Sequence, residues 1–122
     1  MSTEKFIYKI LPQNAWQESL GQETLPWLDA DKADGFIHFS THAQLIKTLN
    51  KHFAGQKGLM LLEIAVPDLP QTVAAHLKWE KNRPGGDAYP HLYTDLPRGC
   101  VKNTYTILLS HDGEFDIPGL PR

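Results

Sequence analysis

An α+β fold is the class this 122-residue chain predicts, and three observations predict it. Apolar residues at helical spacing are confined to the first half, short β-rich runs recur along the whole length, and nine glycines with nine prolines punctuate it too often for a helix bundle. The order strand, helix, loop, strand, helix, strand and then mostly strand puts two main helices in the N-terminal half, packed on a sheet that later strands complete. No G-x-G-x-x-G joins a strand to a helix, which speaks against a doubly wound dinucleotide fold.

Taken in order, Phe6 to Leu11 makes a first strand, ended by Pro12. Lys9 points to the face opposite Phe6, Tyr8 and Ile10. A helix runs from about Gln13 to Leu20, anchored by Trp16 and ended near Gly21. Gln22 to Asp34 shows no period and is expected as a surface connection. Asp29, Asp31 and Asp34 there imitate a calcium loop, but Ser40 stands where the bidentate glutamate belongs, so calcium is not expected. A strand over residues 36–40 follows the Asp34-Gly35 turn, and Thr41 to Phe53 is an amphipathic helix with Leu45, Ile46, Leu49 and Phe53 as its stripe. Lys47 and Lys51 lie away from that stripe. Gly58 to Val66 is nearly continuous apolar sequence, as in a central strand covered on both faces. Val73 to Glu80 alternates, with Leu77 and Trp79 on one face and Lys78 and Glu80 on the other. Lys81 to Asp87 is a flexible loop; Val101 to Ser110 is a strand, Asp112-Gly113 turns it back, and Pro118 to Arg122 is expected to fray.

Composition bounds the function. With 41% hydrophobic residues the chain has room for one core and one domain, 1–122. Fourteen acidic against twelve basic residues give a net charge of −2, which argues against a general nucleic-acid or membrane-surface binder and leaves room for a small anionic ligand. One cysteine, Cys100, precludes an internal disulfide and suits a small packing residue. No apolar run approaches the roughly 20 residues of a membrane span, and Met1 to Lys5 lacks signal-peptide character, so a cytoplasmic location is expected.

Candidate chemistry gathers at the strand-to-helix junction. Alternation puts His38 and Ser40 on one face, and Thr41 with Gln44 has capping-box spacing, leaving N–H groups that favour a phosphate. Joined to Trp79, Glu80, Arg83, His91 and Tyr93, these groups supply hydrogen bonds to sugar hydroxyls, a cation, aromatic faces and a carboxylate, the needs of a sugar-transfer reaction with an oxocarbenium-like transition state. The same residues also read blandly: Trp79 as core, Glu80 and Arg83 as a surface pair, residues 90–93 as a turn. No H-E-x-x-H and no G-x-S-x-G elbow is present, so neither a metal nor a serine triad is expected.

Ile7 to Ile10, Trp16, Asp34 to Thr41, Gln44, Thr48, His52 to Gly55, Leu77 to Glu80, Pro90 to Tyr93, Leu96-Pro97 and Asp112-Gly113 together resemble, in order, the bacterial family called domain of unknown function 952. That resemblance implies a fold of the ADP-ribosylation type, a split mixed β-sheet with α+β organisation. Phe36 to Phe39 is similar to the His-Ile-His-Phe segment of NAD-dependent RNA 2′-phosphotransferases, with Phe36 replacing its first histidine and His38 matching its second. Ser40-Thr41 resembles the Ser-Thr-Ser strand of arginine-directed ADP-ribosyltransferases, whose Glu-x-Glu pair has no counterpart here.

The expectation that follows is a cleft binding NAD or a related nucleotide and transferring or cleaving ADP-ribose. His38 and Glu80 would be its catalytic residues, and Ser40, Thr41, Trp79, Arg83, His91 and Tyr93 its ligand-binding ones. A non-catalytic ligand-binding or interaction module on the same fold is the competing class, and a metal-dependent hydrolase the third.

Overall fold

β1 (Phe6–Pro12) and β3 (Leu59–Ala65) pair antiparallel along their whole lengths, from Phe6 opposite Ala65 to Pro12 opposite Leu59. β3 pairs on its other edge with β6 (Val101–Leu109), which carries the two-residue β7 (Phe115–Asp116). A second sheet of three strands has β5 (Ala88–Leu92) between β2 (Ile37–His38) and β4 (Leu77–Lys81). The structure, a computed structural model, describes residues 4–121.

The chain is therefore α+β; where a split mixed sheet was expected, the described strands form two sheets whose pairs all run antiparallel. The sheets meet where Tyr8 and Ser40 exchange backbone hydrogen bonds of 2.8 and 2.9 Å. β3 earns its near-continuous apolar sequence from two-sided burial. Leu62 and Ile64 enter one cluster with Ile7, Leu11, Ile37, Phe39 and Leu92, while Leu59 and Leu61 enter another with Tyr8, Ile10, Leu45, Leu49 and Ile107. Fully burying one such leucine contributes about 1.5–3 kcal/mol.

Among the described residues, four α-helices decorate this frame: α1 (Gln13–Glu18), α2 (Asp29–Asp34), α3 (Leu45–His52) and α4 (Gln71–Ala74). α2 corrects the expected irregular connection. Asp31, in its first turn, accepts the Leu28 N–H at 2.9 Å, so the residue that imitated a calcium ligand caps a helix. Gly35, at φ +84°, closes that helix and donates its N–H to the Asp31 carbonyl at 2.8 Å. The capping spacing of Thr41 and Gln44 is realised, Gln44 Oε1 accepting the Thr41 N–H at 3.0 Å. The turn it opens is a 3-10 turn leading into α3. Ile46 does not join the α3 stripe; it is 49% exposed, while Leu45 and Leu49 are buried.

Two further expectations change. Residues 71–74 are helical, and the alternating strand begins only at Leu77. The tail does not fray through Pro121: Leu120 packs on the second cluster and His42 Nε2–H donates to the Pro121 carbonyl at 2.6 Å. Arg122 of that tail and Met1 to Thr3 of the N-terminal stretch lie outside the described residues. Among the described residues no helix is long and apolar enough to cross a membrane.

Candidate functional site

His38 and His91 are direct partners across the antiparallel β2–β5 pair, so strand alternation delivers both imidazoles to one face. Their ring centres lie 5.8 Å apart. Phe36, two residues before His38 and therefore on the same face, stacks on His91 at 4.0 Å and leans on His38 at 4.6 Å and Tyr93 at 5.1 Å.

Each histidine is held by a carboxylate. His38 Nδ1–H donates to Asp31 Oδ1 at 2.7 Å, and the His38 backbone N–H reaches the same oxygen at 3.0 Å. Asp31, only 1% exposed, is also gripped by Lys9 Nζ at 3.0 and 3.1 Å. Burial pushes its carboxyl up, but the hydrogen bonds from His38, the Lys9 charge and the two backbone N–H groups outweigh this and hold it at about 2. Lys9 is itself buried, and burial lowers its ammonium while Asp31 opposes the shift. On the outer side, His38 Nε2–H donates to Asp34 Oδ2 at 2.8 Å.

His91 is 5% exposed, and its Nδ1–H donates to Glu80 Oε1 at 2.9 Å. Tyr93 donates its hydroxyl to the same oxygen at 2.6 Å. The hydrogen bonds from Tyr93 and His91 hold the Glu80 carboxyl below the usual range. Burial lowers His91, with Glu80 pulling the other way, so the ring is neutral at neutral pH. With Nδ1 protonated toward Glu80, Nε2 carries the lone pair.

Both histidines form part of the wall of a cleft of about 570 Å³. Tyr8 and Lys9 of β1 and Ser40 also line it; Lys47, Thr48, Lys51 and His52 of α3 face Asp29, Asp31 and Asp34 of α2, and Tyr89 with Asn82 complete the rim. The cleft is polarised, with lysines on the α3 side and carboxylates on the α2 side.

Of the residues expected at the site, His38, Ser40 and His91 line the cleft. The Ser40 hydroxyl is already paired with Thr48 Oγ1 at 2.9 Å. Thr41 is buried and serves as a cap rather than a wall. Glu80 and Tyr93 stand behind His91 and reach the cleft through it. Trp79 packs against the core, as alternation along β4 requires, since Glu80 occupies the opposite face. Arg83 is exposed in the hairpin loop and does not line the cleft. Lys9, Asp31, Lys47, Lys51 and Tyr89 were not among the residues expected at the site; Asp31 reads from sequence only as an imitation of a calcium ligand, and the i, i+4 lysine pair flanking the apolar stripe of α3 was a signal for the basic wall. Cys100 packs against the first core cluster, where burial pushes its thiol up. Among the described residues, no group of three or more histidine, cysteine or acidic side chains is arranged to hold a metal ion.

Residues 10–104 match the family described as protein of unknown function (DUF952). The crystal structure of protein CC0527 from Caulobacter crescentus is similar over 91% of this chain and 93% of that one, at 35% identity and a TM-score of 0.78. Its solution NMR structure is similar over 93% and 91%, at 37% identity and a TM-score of 0.74. Among curated proteins, none matches.

Proposed function

From a chain that belongs to the DUF952 family, and whose two sheets flank one polarised cleft, we propose binding of NAD or a related nucleotide in the cleft beside His38 on an ADP-ribosylation-like fold. The observation that carries the reading is the division of charge across a cleft of about 570 Å³, a volume in the range of small-molecule sites. Lys47 and Lys51 offer two ammonium groups to a pyrophosphate. Tyr89 offers an aromatic face to a base, and Asp29 and Asp34 on the far wall suit ribose hydroxyls or a positively charged nicotinamide ring. ADP-ribose transfer or cleavage is the reaction this ligand invites. In it Glu80 would act through His91, which it holds, rather than by touching the sugar.

That last point favours the second reading, a non-catalytic binding module. Cleavage of a glycosidic bond needs a carboxylate beside the developing positive charge. Glu80 instead spends one oxygen on Tyr93 and His91.

Calorimetry tests the binding. NAD and ADP-ribose should bind, and the Lys47→Ala/Lys51→Ala double variant should weaken both about tenfold or more, as expected for two charge-assisted contacts. No heat at millimolar ligand sinks the proposal. A nicotinamide-release assay across acceptors then separates transferase from binding module.

A further inference from the structure

The two histidines differ in what their ring nitrogens meet. His91 donates at Nδ1 to Glu80 and keeps a lone pair at Nε2. His38 is bonded at both nitrogens to carboxylate oxygens, of Asp31 and Asp34, which only accept, so in this geometry both nitrogens carry protons. A neutral imidazole facing a doubly protonated one across 5.8 Å is a base opposite an acid. With their ring centres this close and both rings in the wall of one cleft, the two imidazoles are near enough to serve a single tetrahedral centre held between them. The lysines of α3 line the same cleft and suit a centre that is anionic.

We propose that His91 and His38 act as general base and general acid on a phosphodiester, and that the substrate class is a ribonucleotide bearing a cyclic 2′,3′-phosphate. The inference rests on the nucleotide-binding reading of the cleft and is independent of glycosidic-bond cleavage. His91 Nε2 takes a proton from water as the water oxygen forms a bond to phosphorus. The bond from phosphorus to one ribose oxygen breaks, and His38 Nε2 gives its proton to that departing oxygen. One water is consumed, a phosphate monoester and a free hydroxyl result, and a proton passes from His91 back to His38 through solvent. Asp34, 54% exposed at its side chain, releases His38 Nε2 as the departing oxygen takes its place. Lys47 and Lys51 offset the charge that builds on the phosphoryl oxygens. The size of the cleft selects one nucleotide over a polymer, in keeping with a net charge of −2 on the chain. Glu80 is a positioning residue, fixing the His91 tautomer.

The full chain incubated with adenosine 2′,3′-cyclic phosphate, followed by phosphorus NMR, tests this. The cyclic signal should give way to a monoester, with a bell-shaped pH profile. Glu80 on β4, Asp34 on α2 and His38 on β2 face His91 and set its limb; Asp31 and Asp34 face His38, with Lys9 of β1 behind Asp31. His91→Gln and His38→Gln should each slow opening about 100-fold or more. Glu80→Gln should slow it about tenfold and move the limb belonging to His91, which loss of mere packing would not do. Amide NMR spectra confirm that each variant is folded. Native protein that binds the nucleotide by calorimetry yet leaves the ring closed overturns this proposal and spares the binding reading. Absence of binding overturns both. Opening at the native rate by folded His91→Gln also overturns it.

Discussion

Adjacent residues of one strand feed two buried carboxylates with opposite fates. Tyr8 donates to Glu63 Oε2 at 3.1 Å, and Asn103 Nδ2 donates to the other oxygen at 2.8 Å, so the Glu63 network starts and ends on the four-stranded sheet. Burial and the Glu63 charge push the Tyr8 hydroxyl up, which keeps it a donor. One residue on, Lys9 points to the other face and meets Asp31, which also accepts from His38 and from the Leu28 N–H. That network leaves the core and opens into the cleft. A buried carboxylate is costly in either place. It serves the sheet where it closes a ladder, and it serves a site where it hands its orientation to a titratable ring.

The largest break in that comparison is Asp31→Ala. Lys9, 4% exposed, would be left buried without its partner, a loss of about 3–5 kcal/mol in urea unfolding. Lys9→Met/Asp31→Leu should recover most of that stability, since replacing both members of a buried pair by apolar groups is often neutral. It should not recover the orientation of His38, which nitrogen NMR of the ring would report. Recovery of both would mean that the pair is only a packing device.

Acid sharpens the same contrast by about half as much. Asp31 titrates near 2 in the folded protein, against 3.8 for the unreacted side chain. The folded state therefore binds this proton less readily than the unfolded chain. The resulting stability is fully present above about pH 4 and is lost as pH falls from about 4 to 2, amounting to about 2 kcal/mol. Denaturant midpoints measured at steps across that window should fall for the native protein. They should fall less steeply there for the Lys9→Met/Asp31→Leu variant, which loses the Asp31 contribution and keeps that of Glu80.

How much of this was legible follows from what each residue depends on. β3 was readable because two-sided burial writes itself as an unbroken apolar run, and His38 because a turn and strict alternation fix its face. Asp31 was not. Its role needs a helix in a stretch without a period, turned so that its carboxylate reaches both Lys9, twenty-two positions earlier, and His38, seven later. Glu80 and His91 were named together, but Glu80's place behind the histidine depends on hairpin register, Lys78 opposite His91 and Glu80 opposite Tyr89. A loop with Gly85-Gly86 does not specify register. Lys47 and Lys51 lie off the apolar stripe as expected, yet that side of α3 borders a cleft, and only tertiary placement distinguishes a cleft wall from open solvent.

The smallest effect belongs to the closed network. Asn103 is exposed on β6 although its amide reaches the buried Glu63. In Asn103→Ala, water can take the place of Nδ2 at Glu63 Oε1 while Tyr8 keeps the other oxygen, so the cost should be about 1 kcal/mol or less. Nothing in that network touches His38 or His91, so the titration of His91 should be unchanged. A shift in the His91 NMR titration would show that the two carboxylate networks are coupled through β1, and the division of labour between the sheets would fail. An unchanged titration with a small stability loss is what separate networks require, because sites that share no partners add independently.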